Sequence, residues 1–342
     1  MHIGDGNIVA GLSELVASQP DKFKSMGEAT ASVPFATIFT GMMLVQIFYW
    51  GTNQAIIQRA LGAKNLKEGQ KGLFLAAFIK ILGPLIVVLP GVIAFHIFNG
   101  DVGNADQAYP KLVNTVLPTY LLGFFAAVLF GAILSSFNSA LNSSVTLFGV
   151  DIYKTYLKKD ATEKQVVKAG KSFGVLLAVL AMFVAPFIAN ASSGLFDYLQ
   201  EVNGCYSIPI LTIIVVGYLT KYVPAIAAKI GLLSGVILYS ISQFILKPYI
   251  INNKLADAQA SGASPDLLDV IEKTTYPHFL HVMAILFVLN ISIMLAIGKL
   301  YPRKEAFAQK YTHQVDIKPW KWVTPVAIGI AVIVVGIYIY FA

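Results

Sequence analysis

The sequence predicts an all-α integral membrane fold on three observations: its composition, a series of apolar runs of membrane-crossing length, and the alternation of basic residues between loops. Of 342 residues, 56% are hydrophobic and 13% charged, against about a quarter charged in soluble domains. That excludes a water-soluble globule, and equally an intrinsically disordered chain, which needs low hydrophobicity and high charge. The single cysteine, Cys205, allows neither a disulfide framework nor a zinc module. A net charge of +7 could suggest nucleic acid, but the basic residues gather in loops on one side of a bilayer. The lipid bilayer is therefore the expected partner, and nucleic acid is not.

Crossing the hydrocarbon core as a helix takes about 20 apolar residues. Runs of this kind lie near 33–58, 72–98, 118–149, 169–190, 195–219, 223–246, 278–298 and 322–341. All are read as helices, because an open strand edge does not survive in lipid. The first and third are longer than a simple crossing and carry internal Gly, Ser and Asn, which predicts tilt, a break or an unwound turn. Arg59, Lys64, Lys67 and Lys71 follow the first run, and Lys154, Lys158, Lys159, Lys164, Lys168 and Lys171 follow the third. Lysine and arginine accumulate in cytoplasmic loops, so both loops are cytoplasmic and both termini extracytoplasmic, in the plasma (cytoplasmic) membrane. The acids Asp5, Asp21, Asp101 and Asp266 fall on the opposite side. Residues 247–277 read as a loop with one short helix near Pro265 to Lys273, with Ser264 as N-cap and Pro265 in the first turn. Residues 152–168, with alternating charge, read as a surface helix.

Some residues do not suit lipid. Lys80, about nine residues into the second run, costs roughly 2.5–3.5 kcal/mol to bury as a charge. It either snorkels to the interface on its long stem or faces a polar cavity, where a role toward substrate or in structural hydrogen bonding is favoured. In the third run, helical spacing places Ala132, Ser135, Ser136, Ser139 and Ser143 on one face. Such a face can be a seam for close helix packing, or a site where hydroxyls and a freed carbonyl replace water around a hard cation such as sodium. In the first run, Tyr49 and Trp50 fit an interfacial aromatic belt. With Gln46 one turn deeper, they also fit a polar pocket capped by an aromatic ring. In the stretch Ser193-Gly194-Leu195-Phe196-Asp197, Asp197 is a first-turn acid favoured by the helix dipole, and Gln200, a turn further in, is the better candidate for binding hydroxyls. Neutral amides, one cation and an aromatic face are what a sugar asks of a pocket.

Four separated motifs carry a resemblance. They are Tyr49-Trp50-Gly51-Thr52-Asn53-Gln54 through Arg59, Phe78-Ile79-Lys80 with Val88-Leu89-Pro90-Gly91, Ser135-Ser136 with Asn142-Ser143, and Leu195 through Gln200. In this order they resemble the sodium:solute symporter family, in its sodium/glucose and bacterial sodium/galactose branch. The resemblance implies sodium-coupled sugar symport and not an enzyme. It implies a sodium site at Ala132, Ser135 and Ser136, with Ser139 at a position some relatives use for a second sodium. Sugar contacts fall on Gln46, Lys80 and Gln200, with Tyr49 as the inner aromatic gate; the galactose-transporting relative has Asn at the position of Gln46. The implied architecture is the second five-helix repeat of a LeuT-type inverted-repeat core, plus three accessory helices. Residues 1–32 would form an extracytoplasmic segment, 33–219 the repeat and 220–342 the accessory helices. The chain is then expected to be N-terminally incomplete, needing a missing N-terminal half and unable to transport by itself. Other readings are sodium-coupled carriage of myo-inositol, sialic acid or a carboxylate, with Lys80 as counter-ion to the last, or a non-transporting sensor or assembly subunit.

Overall fold

The computed structural model describes residues 3, 4, 6–31, 33–103, 105–188, 195–308 and 315–342. Asp5 and Ser193-Gly194 lie outside the described residues. Among those described there are helices and no strand. In chain order they are α1 Ile8–Ser18, α2 Gly41–Gly51, α3 Gln54–Leu61, α4 Leu66–Ile81, α5 Leu89–Ile97, α6 Ala108–Val116 and α7 Thr119–Leu147. There follow α8 Glu163–Ile188, α9 Leu195–Leu219, α10 Ala225–Ile241, α11 Lys247–Ala260, α12 Pro265–Thr274, α13 Phe279–Leu300 and α14 Val323–Tyr340. Short π-helical turns at Pro84–Val88, Phe148–Leu157 and Ser242–Leu246 link or extend them.

Seven helical stretches among the described residues are long and apolar enough to cross a membrane. The first apolar run of the sequence is not among them, because it is broken. A 3-10 turn at Phe35–Phe39 precedes α2, and α2 stops at Gly51. The Thr52 and Asn53 amides and the Thr52 hydroxyl all fall back on the Phe48 carbonyl, and the Asn53 side chain caps Ala55 N–H at 3.0 Å. Three donors on one carbonyl end the regular ladder there.

Of the tilt, break or unwound turn expected of the third run, the break is absent, since α7 is continuous from Thr119 to Leu147. Ser139 bonds within the helix to the Ser135 carbonyl, Ser144 to Ala140 and Thr146 to Asn142, at 2.8–3.0 Å. Back-bonding of this kind satisfies the hydroxyls without opening the backbone, so α7 frees no carbonyl near Ser135.

Two further expectations are corrected. Residues 152–168 are not one surface helix: the π-helical extension ends at Leu157, and α8 starts afresh at Glu163. A capping box starts it, with Thr162 and Gln165 exchanging side chain to backbone bonds at 3.2 and 3.4 Å, which satisfies two otherwise unpaired amides. Residues 247–260 are helix, not loop, because α10 runs on through a π turn into α11. The short helix predicted near Pro265 is present as α12, with Ser264 Oγ accepting from Leu267 N–H at 3.4 Å.

The chain divides into two compact units, each drawn from separated stretches: 1–24, 58–195 and 317–342 in the first, 25–57 and 196–316 in the second. In the first unit α7 packs on α8 through glycines. A Cβ on Gly170 or Gly174 would press on Val145, and Phe148 stacks on Phe173 at 4.1 Å. Gln70 on α4 accepts from Trp320 N–H at 2.7 Å, just ahead of α14. In the second unit Val45, Ile208, Tyr239, Leu280 and Met283 form a buried core. Gly41 lets α2 approach the backbone carbonyl of Leu280 more closely than any Cβ would allow.

Candidate functional site

The cation-site candidates lie in the first unit, on α7. Ala132, Ser135 and Ser136 are exposed, Ser139 is half-buried and Ser143 buried. The contact of α7 with α8 uses Leu141 and Val145. At about 100° per residue Leu141 points nearly opposite to Ala132, so packing within this unit does not consume the upper hydroxyl face. A groove of about 830 Å³ runs along α7 and is lined by Ser135, Asn138, Ser139 and Asn142, facing Gln58 and Arg59 of α3. Ala132 and Ser136 are not part of that lining. Arg59 donates to Ser139 Oγ, which donates onward to the Ser135 carbonyl at 2.8 Å. In this arrangement the Ser139 oxygen meets a guanidinium.

Lys80 is in the same unit, exposed in the last turn of α4. Pro84, four residues on, has no N–H to give the Lys80 carbonyl, and the chain turns π-helical from there.

The other solute-contact candidates lie in the second unit. On α2, Val45 and Phe48 are buried, Phe48 edge-on to Tyr206 at 6.1 Å, so Gln46 and Tyr49 are turned outward and exposed. Trp50 Nε1 donates to Gln46 Oε1 at 3.2 Å, and Tyr49 and Trp50 meet edge to face at 5.3 Å. The Gln46 carbonyl is thus engaged. Among the described residues its NH₂ meets the weak sulfur acceptor of Met42 at 3.8 Å, so the side chain presents donors. Gln200 is half-buried on α9. Its neighbour Glu201 pairs with Lys247 at 2.7 Å, and the Glu201 carbonyl accepts from Tyr239 O–H at 2.8 Å. Asp197 falls within α9.

Sequence reasoning brought Gln46 and Tyr49 to one helix and Ser135, Ser136 and Ser139 to another. It missed Arg59, read there as a loop charge, and the Trp50–Gln46 bond, which the i,i+4 spacing could have signalled. Among the described residues no group of three or more His, Cys, Asp and Glu side chains could hold a metal ion, so a cation here would rest on hydroxyl and carbonyl oxygens.

A model of the sodium:solute symporter family matches residues 6–236. The chain belongs to the sodium:solute symporter family. It is 41% identical over 336 residues to an uncharacterized symporter, YidK, of Escherichia coli (strain K12), covering 98% of this chain and 54% of that protein. With the sodium/glucose cotransporter of Vibrio parahaemolyticus it shares 35% identity over 248 residues, 66% of this chain and 45% of the relative. With human sodium/myo-inositol cotransporter 2 it shares 33% over 226 residues, 61% and 33% of the two. The chain spans about half the length, or less, of these curated relatives. The family and these relatives are transporters, not enzymes, and this symporter-family chain is a multi-pass membrane protein.

Proposed function

We propose that the chain serves sodium-coupled symport of a sugar, as part of the full-length arrangement of its family. The carrying observation is the α7 face: Ser135 and Ser136 expose hydroxyls that packing within their unit does not use. In an apolar helix such oxygens are costly unless something polar meets them. The two serine hydroxyls, with the second lone pair that the Ala132 carbonyl keeps beside its intrahelical bond, are the proposed protein ligands of the transported sodium. They are hard oxygen donors of the kind that suits an alkali ion. Gln46, Lys80 and Gln200 are each proposed as solute contacts, the amides donating to and accepting from hydroxyls and the Lys80 ammonium donating, with Tyr49 proposed as the inner aromatic gate. The Trp50 bond supports this for Gln46 by holding the amide with its NH₂ outward.

Residues 33–219 are proposed as the second five-helix repeat of a LeuT-type core and 220–342 as accessory helices, with helices beyond the half matched here completing the core. Sites of such transporters lie between inverted repeats. Sodium entering down its gradient then favours the outward-open state, solute binds, and rocking of one repeat against the other exposes both to the cytoplasm. The proposed setting is the cytoplasmic membrane with both chain ends outside, supported by the loop lysines.

The identity to sodium/myo-inositol cotransporter 2 favours one second reading, a cyclic polyol in place of the sugar. Uptake of labelled galactose into proteoliposomes holding the full-length protein, with and without a sodium gradient, tests the proposal. Sodium-dependent uptake competed by sugars supports it, sodium-dependent uptake of labelled myo-inositol with none of galactose selects the second reading, and uptake indifferent to sodium overturns both.

A further inference from the structure

We infer that the first turns of α8 form a binding site for the phosphate headgroup of an anionic lipid. Lys164, Lys168 and Lys171 line a wide-open hollow of about 620 Å³ along the face of α8 itself, with Val167 and Val175. Positions 164, 168, 171 and 175 recur at the spacing that keeps side chains on one helical face, so three ammonium groups stand in a row that ends on an apolar wall. All three lysines are exposed, and none takes part in the ion pairs found among the described residues. Glu163, at the rim, is the one carboxylate that lines the hollow, leaving an excess of positive charge.

The location selects the ligand. The lysines span about 10 Å of helix axis, and α8 then turns wholly apolar, with Leu176, Val179 and Phe183 exposed. The hollow therefore lies where a membrane-crossing helix leaves the hydrocarbon. There a phosphate meets the ammonium groups while its acyl chains lie along Val167, Val175 and the residues below. Lys171, the deepest, reaches the headgroup level along its own stem. Basic clusters next to a crossing helix attract anionic lipids with an effect of about fivefold in affinity per residue. This holds on whichever side of the membrane the loop lies, and it does not depend on what the protein carries.

Retention of phosphatidylglycerol and phosphatidylcholine by the purified full-length protein, followed by native mass spectrometry, tests the inference. Wild type is expected to keep phosphatidylglycerol in preference. In K164Q/K168Q/K171Q that preference should fall on the order of a hundredfold, while K164R/K168R/K171R keeps it. Equal retention of phosphatidylglycerol by wild type and the glutamine variant overturns the site, as does equal retention of the two lipids by wild type. If millimolar inorganic phosphate displaces phosphatidylglycerol, the acyl contacts contribute nothing and the lipid assignment fails.

Discussion

Two polar features in apolar helices do opposite things. In the second unit, Ser234 on α10 donates to Asn290 Oδ1 on α13 at 2.9 Å, Asn290 is buried, and Gly231 and Gly235 let the helices close over the pair. In the first unit, Ser135 and Ser136 on α7 stay exposed. Both are small polar stripes, and from sequence both fit the same two descriptions, a packing seam or a ligand site. The first is a seam of the kind that joins membrane helices. The second is not used as one within its unit, and that difference is what favours a cation for α7.

The largest effect should come from closing the seam's gap. Gly235→Val pushes a side chain into the Asn290 amide and onto Pro209. Overpacking of this sort costs about 1–3 kcal/mol, and the expected loss of folded protein is read from size-exclusion profiles and thermal melting in detergent. Asn290→Ala should cost about 1–2 kcal/mol, because it removes the buried bond between the helices and leaves Ser234 only its 3.4 Å bond to the Gly231 carbonyl; melting of the single and the Asn290/Ser234 double variant checks the coupling. A smaller effect is expected on α2. Trp50→Phe removes the donor that orients Gln46, and apparent solute affinity should weaken by about fivefold or less, measured as half-saturation of uptake with sodium fixed. The smallest is a stability change within about 0.5 kcal/mol for Ser135→Ala with Ser136→Ala. A loss of stability as large as that of Asn290→Ala would make the α7 stripe a seam after all.

How much of this was legible depended on whether the deciding contact was local. The long apolar runs, the break near Gly51 and Asn53 and the Ser264 cap could all be read, since each follows from residues within a turn or two of one another. A break, one of three alternatives for the long third run, is absent from α7 because sequence shows serines but not that they bond to their own helix, as Ser139 does to the Ser135 carbonyl. The start of α8 was missed although Thr162 and Gln165 stand at capping-box spacing, because the charge alternation around them suggested an unbroken surface helix. Arg59 meeting Ser139 joins residues 80 positions apart, and nothing in the local pattern of either announces the other. The candidate sodium ligands were recognisable as a stripe, but their freedom from packing became visible only once α8 was seen to use the other side of α7.

The most direct test is the sodium dependence of solute uptake by the full-length protein carrying Ser136→Ala, with folding monitored in parallel. Loss of one oxygen ligand should raise the sodium concentration for half-maximal uptake about tenfold or more at unchanged thermal stability. An unaltered sodium dependence in a folded, transporting variant would contradict the assignment of the α7 hydroxyls to the ion.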